Sequence, residues 1–266
     1  SLLASFPGDR VILAESVTAD IKNLVAAYGK NHDEIQLPMN FLIGDMNKLD
    51  ASAFKQHYDD ANLKLGAGNT PVFFFSSHDH SRQWTAFGDS KNNDQIAKLT
   101  AALNLAQRGT TLMYYGEEIG MGDMKAQELA AAVIGPKRPR ADDRDRVRSP
   151  MHWEPTADAG FSKATPWLPV QAGTAKYNVV DQIKDPQSIY NWYLALNKLR
   201  KEDAVFRSGN YLAIESGDKD VFAFARVTDK GEGAIIVLNC SAEPKHLQLR
   251  GLPTQTQFGE LVLASP

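Results

Sequence analysis

Apolar runs alternate with amphipathic segments along the first 116 residues. RVILAES (10–16) reads as a buried strand, and TADIKNLVAAYG behind it reads as a helix that Thr18 caps and Gly29 ends. A second apolar run, IQLPMNFLI (35–43), suits a strand less well, because Pro38 removes a backbone donor. PVFFFSS (71–77) is the third. NNDQIAKLTAALNLAQRG then spaces Ile96, Leu99, Leu103 and Ala106 along one helical face, between an Asn cap and a terminal Gly109. TTLMYYG (110–116) follows as a fourth strand candidate. Strand, helix, strand, helix in this order implies parallel pairing, in an open doubly wound sheet or in a (β/α)8 barrel.

Beyond Gly116 the periodicity stops. Residues 117–180 are rich in charges, prolines and tryptophans, the composition of a long irregular excursion, which is usually functional when ordered. DPQSIYNWYLALNKLRKE restores a helix, with Asp185 as cap, Pro186 in the first turn, and Ile189, Trp192, Leu196 and Leu199 facing inward. After Arg207 come four short strand candidates, YLAIES, VFAFARV, AIIVLN and LQLRGL, separated by Gly, Asp and Lys turns. The pattern divides the chain near residue 205, into an α/β part (1–204) and a small all-β module (205–266). Neither internal repeats nor low-complexity tracts are visible.

With 266 residues, 43% of them hydrophobic, the chain can bury a substantial core. A net charge of -3 with both signs interspersed provides no basic stripe for nucleic acid and no polybasic patch for a membrane surface. The single cysteine, Cys240, has no intramolecular partner and lies in the apolar run AIIVLNC, as a small buried hydrophobe would. No apolar stretch approaches the ~20 residues of a membrane helix. The N-terminus lacks the regions of a signal peptide, but Ser1 reads as an internal point of a longer chain. A soluble protein is expected, with the compartment, cytoplasmic or periplasmic, left open.

Three of the four strand candidates end in ionisable groups: Glu15, then His78 with Asp79, then Glu117 with Glu118. In parallel α/β folds active sites lie beyond the carboxyl ends of strands. Each group alone could be a solvated loop charge. Two enzymatic readings compete for the set. His78 and His80 form a plausible metal-ligand pair that Asp79 could join, but His32, His57, His152 and His246 are scattered over a turn, a helix, the excursion and the β module. The other reading is a carboxylate site for glycosidic cleavage, where one acid protonates the leaving group and others stabilise an electron-poor centre. Leu13 and Ala14 would partly desolvate Glu15 and raise its pKa toward that of a useful proton donor. Phe73 to Phe75, Tyr114, Tyr115, Trp84, Trp153 and Trp167 offer core packing or sugar-stacking surfaces.

At these residues the chain resembles the α-amylase superfamily, glycoside hydrolase family 13. FFFSSHDHSR resembles its fourth motif, an apolar strand ending in His-Asp with an Arg three positions later, and VILAES its third, the fifth strand ending in the catalytic Glu. RGTTLMYYGEEIGM is similar to the eighth strand and following loop, and HDEIQLPMNF to the sixth-strand segment. RDRVRSPMHWEPTADAGFSKATPWLPV resembles the Arg-Thr-Pro-Met-Gln-Trp segment of oligo-1,6-glucosidases and related α-glucosidases. The motifs follow the family's order over essentially the whole chain.

The resemblance implies that Glu15 is the general acid/base and that Asp79 binds sugar hydroxyls and tightens in the oxocarbenium-like transition state. It implies that His78 donates a hydrogen bond to the same ring and that Arg82 shapes the entrance and the subsites beyond the scissile bond; a plain salt bridge at the strand end is the alternative for Arg82. Glu117 and Glu118 read as structural or rim residues, and His152 stands where many relatives have Gln. The family's nucleophile, an Asp in a Gly-x-Arg-x-Asp context, has no counterpart here. The chain therefore resembles the second half of a (β/α)8 TIM barrel followed by a small antiparallel β-sandwich domain, with the latter stopping early. Half a barrel exposes unpaired edges, so the missing N-terminal half is expected as a partner. The implied activity is that of a retaining α-glucosidase on short oligosaccharides or disaccharides, requiring no cofactor, with a structural calcium conceivable in the missing half. The alternatives are a transferring or isomerising relative of the sucrose isomerase or trehalose synthase type, and a non-catalytic relative such as the ancillary ectodomains of amino-acid transporters.

Overall fold

The computed structural model describes residues 5–18, 20–66, 68–130, 132 and 142–265. They form two compact units: the described residues of 1–74, 102–112 and 198–264, and those of 75–101 and 113–197 with Ser265.

All the named strands belong to the first unit. β1 (Leu13–Ala14) pairs with β2 (Leu37–Pro38) in parallel, Leu13 opposite Leu37. β3 (Val72–Phe73) pairs with β4 (Thr110–Thr111) in parallel, Val72 opposite Thr110. A parallel bridge from Met39 to Val72 joins the two pairs, so the strands run side by side in chain order. Parallel neighbours need crossovers, and helices Ile21–Ala27, Ala51–Leu65 and Asn93–Leu105 lie between them in the chain. Pro38 is tolerated because alternate residues donate in such a ladder. Leu37 and Met39 give their N–H groups to the carbonyls of Ile12 and Ala14, and the residue between them is not called on for that side.

The expectation of a buried first strand is corrected: Val11 is 60% and Leu13 50% exposed. Among the described residues β1 pairs on one side only, and a parallel strand becomes buried only when covered by neighbours on both faces. Phe73 and Phe74, next along the third run, are buried.

Helix Ala51–Leu65 begins at Asp50, whose carboxylate accepts from the amides of Ser52 and Ala53. It buries Phe54, Tyr58, Ala61 and Leu65 at helical spacing. Tyr58 packs on Phe73 at 4.8 Å and on Phe222 at 5.8 Å between ring centroids. Phe74 meets Phe41 edge-on at 5.1 Å and closes over Gly44, where a Cβ would stand 2.3 Å from the ring. Only glycine fits there.

The all-β module is one antiparallel sheet, β5 (Asn210–Ala213), β6 (Val221–Val227) and β7 (Gly233–Asn239), with β6 in the middle. LQLRGL contributes a bridge, Arg250 to Glu215, rather than a strand. The expected sandwich is thus reduced, among the described residues, to a single sheet. Arg226 of β6, 1% exposed, donates to the carbonyls of Gly209 and Ala106, while Arg200 donates to those of Leu105, Gln107 and Gly109. The carbonyls of Leu105, Ala106, Gln107 and Gly109 are left open at and just beyond the end of helix Asn93–Leu105, where positive charge is favoured, and that of Gly209 follows helix Ala204–Ser208. Burial and the neighbouring arginines push Arg226 down to about 10.

Two local expectations, both of helix starts, are also corrected. Asp20, not Thr18, caps the first helix through the Asn23 amide. Helix Ile189–Glu202 starts one turn later than Asp185 suggests, with the Ser188 hydroxyl accepting from the Asn191 amide. Ala97, Lys98, Thr100 and Asn104 are buried along with Ile96 and Leu103, so helix Asn93–Leu105 is covered on more than its apolar face. Cys240 is half-buried, and burial pushes its thiol up to about 12. No helix among the described residues is long and apolar enough to cross a membrane.

Candidate active site

The second unit contains the loop that answers to the His-Asp motif. The Ser77 hydroxyl accepts from the Asp79 amide at 3.1 Å and meets His80 Nδ1 at 2.8 Å, a tight turn made by the serine side chain. The Ser76 hydroxyl accepts from the Gln83 amide at 2.8 Å, at the start of helix Gln83–Phe87. Between these anchors Asp79 presents its carboxylate to Arg148, whose Nη2 lies 2.7 Å from Oδ1. Arg148 also donates through Nε to the His78 carbonyl at 2.9 Å, and its Nη1 lies 3.6 Å from Asp145, which is fully buried. One guanidinium thereby fixes both the main chain and the side chain of the motif. His78 is more than half exposed, with Nε2 3.4 Å from Asp79 Oδ1.

Arg82 is fully buried. It donates to the carbonyls of Tyr115 and Val147 and lies over the rings of Tyr114 and Tyr115, at 4.8 and 4.6 Å from their centroids. Its amide donates to Asp123, which also receives Ser81 and Arg146. These contacts make Arg82 a pin between the loops around residues 82, 115 and 147, with carbonyls and ring faces as its partners.

The loop after β4 turns at Gly116, whose φ of 87° and lack of a Cβ let Met121 and the Arg82 guanidinium close on it. Glu117 and Glu118 then part company. Glu117 is buried, and burial pushes its carboxyl up to about 8, opposed in part by the Ser76 hydroxyl, the Tyr114 backbone and the charge of Arg82. Because the folded value exceeds the ordinary one near 4.5, folding favours the protonated acid. Its stabilising contribution is full below 4.5 and is lost as pH rises through 8. Urea unfolding from pH 5 to 8.5 should show stability falling by about 4 kcal/mol, a fall that Glu117→Gln removes.

Glu118 points to a cleft of about 400 Å3 lined also by Tyr115, Arg148, Met151, Trp153 and Trp167. Burial raises the Glu118 carboxyl above its usual range. Trp153 and Trp167 are about half exposed; they offer the flat apolar faces, and Glu118 and Arg148 the polar groups, that a sugar ring requires. Trp153 is held by its own loop, its amide and that of Glu154 donating to the Ala159 carbonyl. His152, buried beside it, faces the Tyr177 carbonyl through Nδ1 at 2.9 Å, and burial lowers its pKa.

Of the residues singled out in the sequence, His78, Asp79 and Arg82 lie in the second unit. Glu15 lies in the first, directly after β1, and is exposed, without the cover expected from Leu13 and Ala14. No group of three or more His, Cys, Asp or Glu side chains among the described residues is arranged to hold a metal ion. Sequence reasoning passed over Arg148 as a site residue and gave Glu118 only a rim role. The available signal was the alternation Arg144, Arg146, Arg148, with Asp145 between the first two and Val147 between the last two.

Residues 8–209 match the alpha amylase catalytic domain family, and the chain belongs to that family. It is 33% identical over 186 residues to an oligo-1,6-glucosidase of Halalkalibacterium halodurans, covering 62% of this chain and 33% of that protein. It is 31% identical over 266 residues to an alpha-glucosidase of Culex pipiens, covering 97% and 43%. Its fold is similar to the crystal structure of the trehalulose synthase MutB from Pseudomonas mesoacidophila MX-45, with a TM-score of 0.74 and 26% identity over 85% of this chain and 46% of that one. The chain spans between a third and a half of the length of these relatives.

Proposed function

We propose that residues 1–204 are the second half of a (β/α)8 barrel and residues 205–266 the C-terminal β domain of a retaining α-glucosidase acting on short oligosaccharides or disaccharides. The observation that carries this reading is the Asp79 carboxylate clamped by Arg148, itself a wall of an aromatic cleft with room for a sugar ring. In double displacement the nucleophile, an Asp from a segment outside this chain, attacks the anomeric carbon while Glu15 protonates the departing oxygen. Glu15 then takes a proton from water as it releases the sugar. Asp79 and His78 bind ring hydroxyls, and Arg82 acts by holding the loops that present them. The exposed flank of β1 supports a partner segment that completes the sheet. No cofactor is required, and a structural calcium would belong to that segment.

The test is the first-formed sugar. The full-length gene product acting on p-nitrophenyl α-glucoside should release α-glucose, read by NMR before mutarotation. Release of β-glucose, or no hydrolysis of any α-glucoside, overturns the proposal. The likeness to a trehalulose synthase favours a second reading, transfer to fructose within a sucrose-derived pair instead of to water; products formed from sucrose separate the two. Retention of Glu15, His78 and Asp79 speaks against a non-catalytic binding module.

A further inference from the structure

Asp79 is met by two guanidinium groups of unequal character. Arg148 is short-bonded and anchored at three points, and its side chain is 23% exposed. Arg144 is 55% exposed and reaches both carboxylate oxygens at long distances, 3.3 Å to Oδ1 and 3.4 Å to Oδ2. It also lies 3.8 Å from Asp142. Oδ1 also has His78 at 3.4 Å, so among the described residues Arg144 is the contact that covers Oδ2.

Two adjacent sugar hydroxyls donating to a carboxylate need access to both oxygens. Arg148 cannot withdraw without releasing the His78 carbonyl. Arg144 can, because a half-exposed ion pair of this length is weak and its head remains in water when it swings away. We propose that Arg144 is a displaceable counter-ion on Asp79, covering Oδ2 until a ligand's hydroxyls replace it, and so setting the affinity of the site. The inference rests on the reading of Asp79 as a sugar-binding carboxylate.

The test compares Arg144→Gln and Asp79→Asn with the unaltered full-length enzyme on p-nitrophenyl α-glucoside. Removing a competitor for Asp79 should lower KM about two- to fivefold. Salt should lower the KM of the unaltered enzyme by screening the pair, and leave that of Arg144→Gln flat. A KM that rises in Arg144→Gln, as it would if Arg144 bound the substrate, overturns the inference. So does an unchanged KM with an unchanged salt response, provided Asp79→Asn is inactive. If Asp79→Asn retains full activity, the reading of Asp79 falls and the inference with it.

Discussion

Glu15→Gln in the full-length enzyme should lower kcat/KM on a disaccharide about 10²- to 10⁴-fold, the range that general acid catalysis contributes. Glutamine keeps the size and a carbonyl but cannot give a proton to the departing oxygen. A substrate with p-nitrophenolate as leaving group needs little protonation, so its first step should suffer far less. Its second step still requires a base to activate water, and the glucosyl-enzyme should accumulate as a burst of nitrophenolate followed by slow turnover. Azide, which needs no base, should restore turnover and leave the α-glucosyl azide, since a second inversion returns the original configuration. Hydrolysis of p-nitrophenyl α-glucoside undiminished in Glu15→Gln would remove Glu15 from the mechanism.

Arg82→Ala should destabilise the protein by about 3–5 kcal/mol. The carbonyls of Tyr115 and Val147 would lose a charged donor in a fully buried place, and each hydrogen bond to a charged group is worth about 1.5–3 kcal/mol. The space over Tyr114 and Tyr115 would add a cavity. Arg82→Lys should recover only part of the loss, because an ammonium cannot serve two divergent carbonyls and stack on two rings at once. Urea unfolding of the three proteins measures this directly. An alanine variant within about 0.5 kcal/mol of the original would mean that the loops hold together without the guanidinium.

The same substitution separates positioning from contact. Arg82 was expected from the resemblance to shape the entrance to the cleft; its guanidinium is buried between Tyr114, Tyr115 and Val147, and of these Tyr115 lines the cleft. Nothing in HSRQW distinguishes a buried arginine from an exposed one: the neighbours that cover it, Tyr115 and Val147, are 33 and 65 positions away. The adjacent Glu117 and Glu118 make the point within one dipeptide. Both follow the same strand, one is buried with its acid form favoured, and the other faces the cleft.

What the sequence by itself determined was the order of strands and helices and the position of the His-Asp and Glu motifs at strand ends. Apolar spacing and turn residues are properties of a few neighbouring positions, so they are legible without the fold. The tertiary structure alone decided that Arg148 clamps Asp79 from 69 residues away, that Arg82 is a buried pin, and that Leu13 of β1 lies exposed. Burial and long-range ion pairs exist only once distant segments meet, and no local pattern records which segments those are.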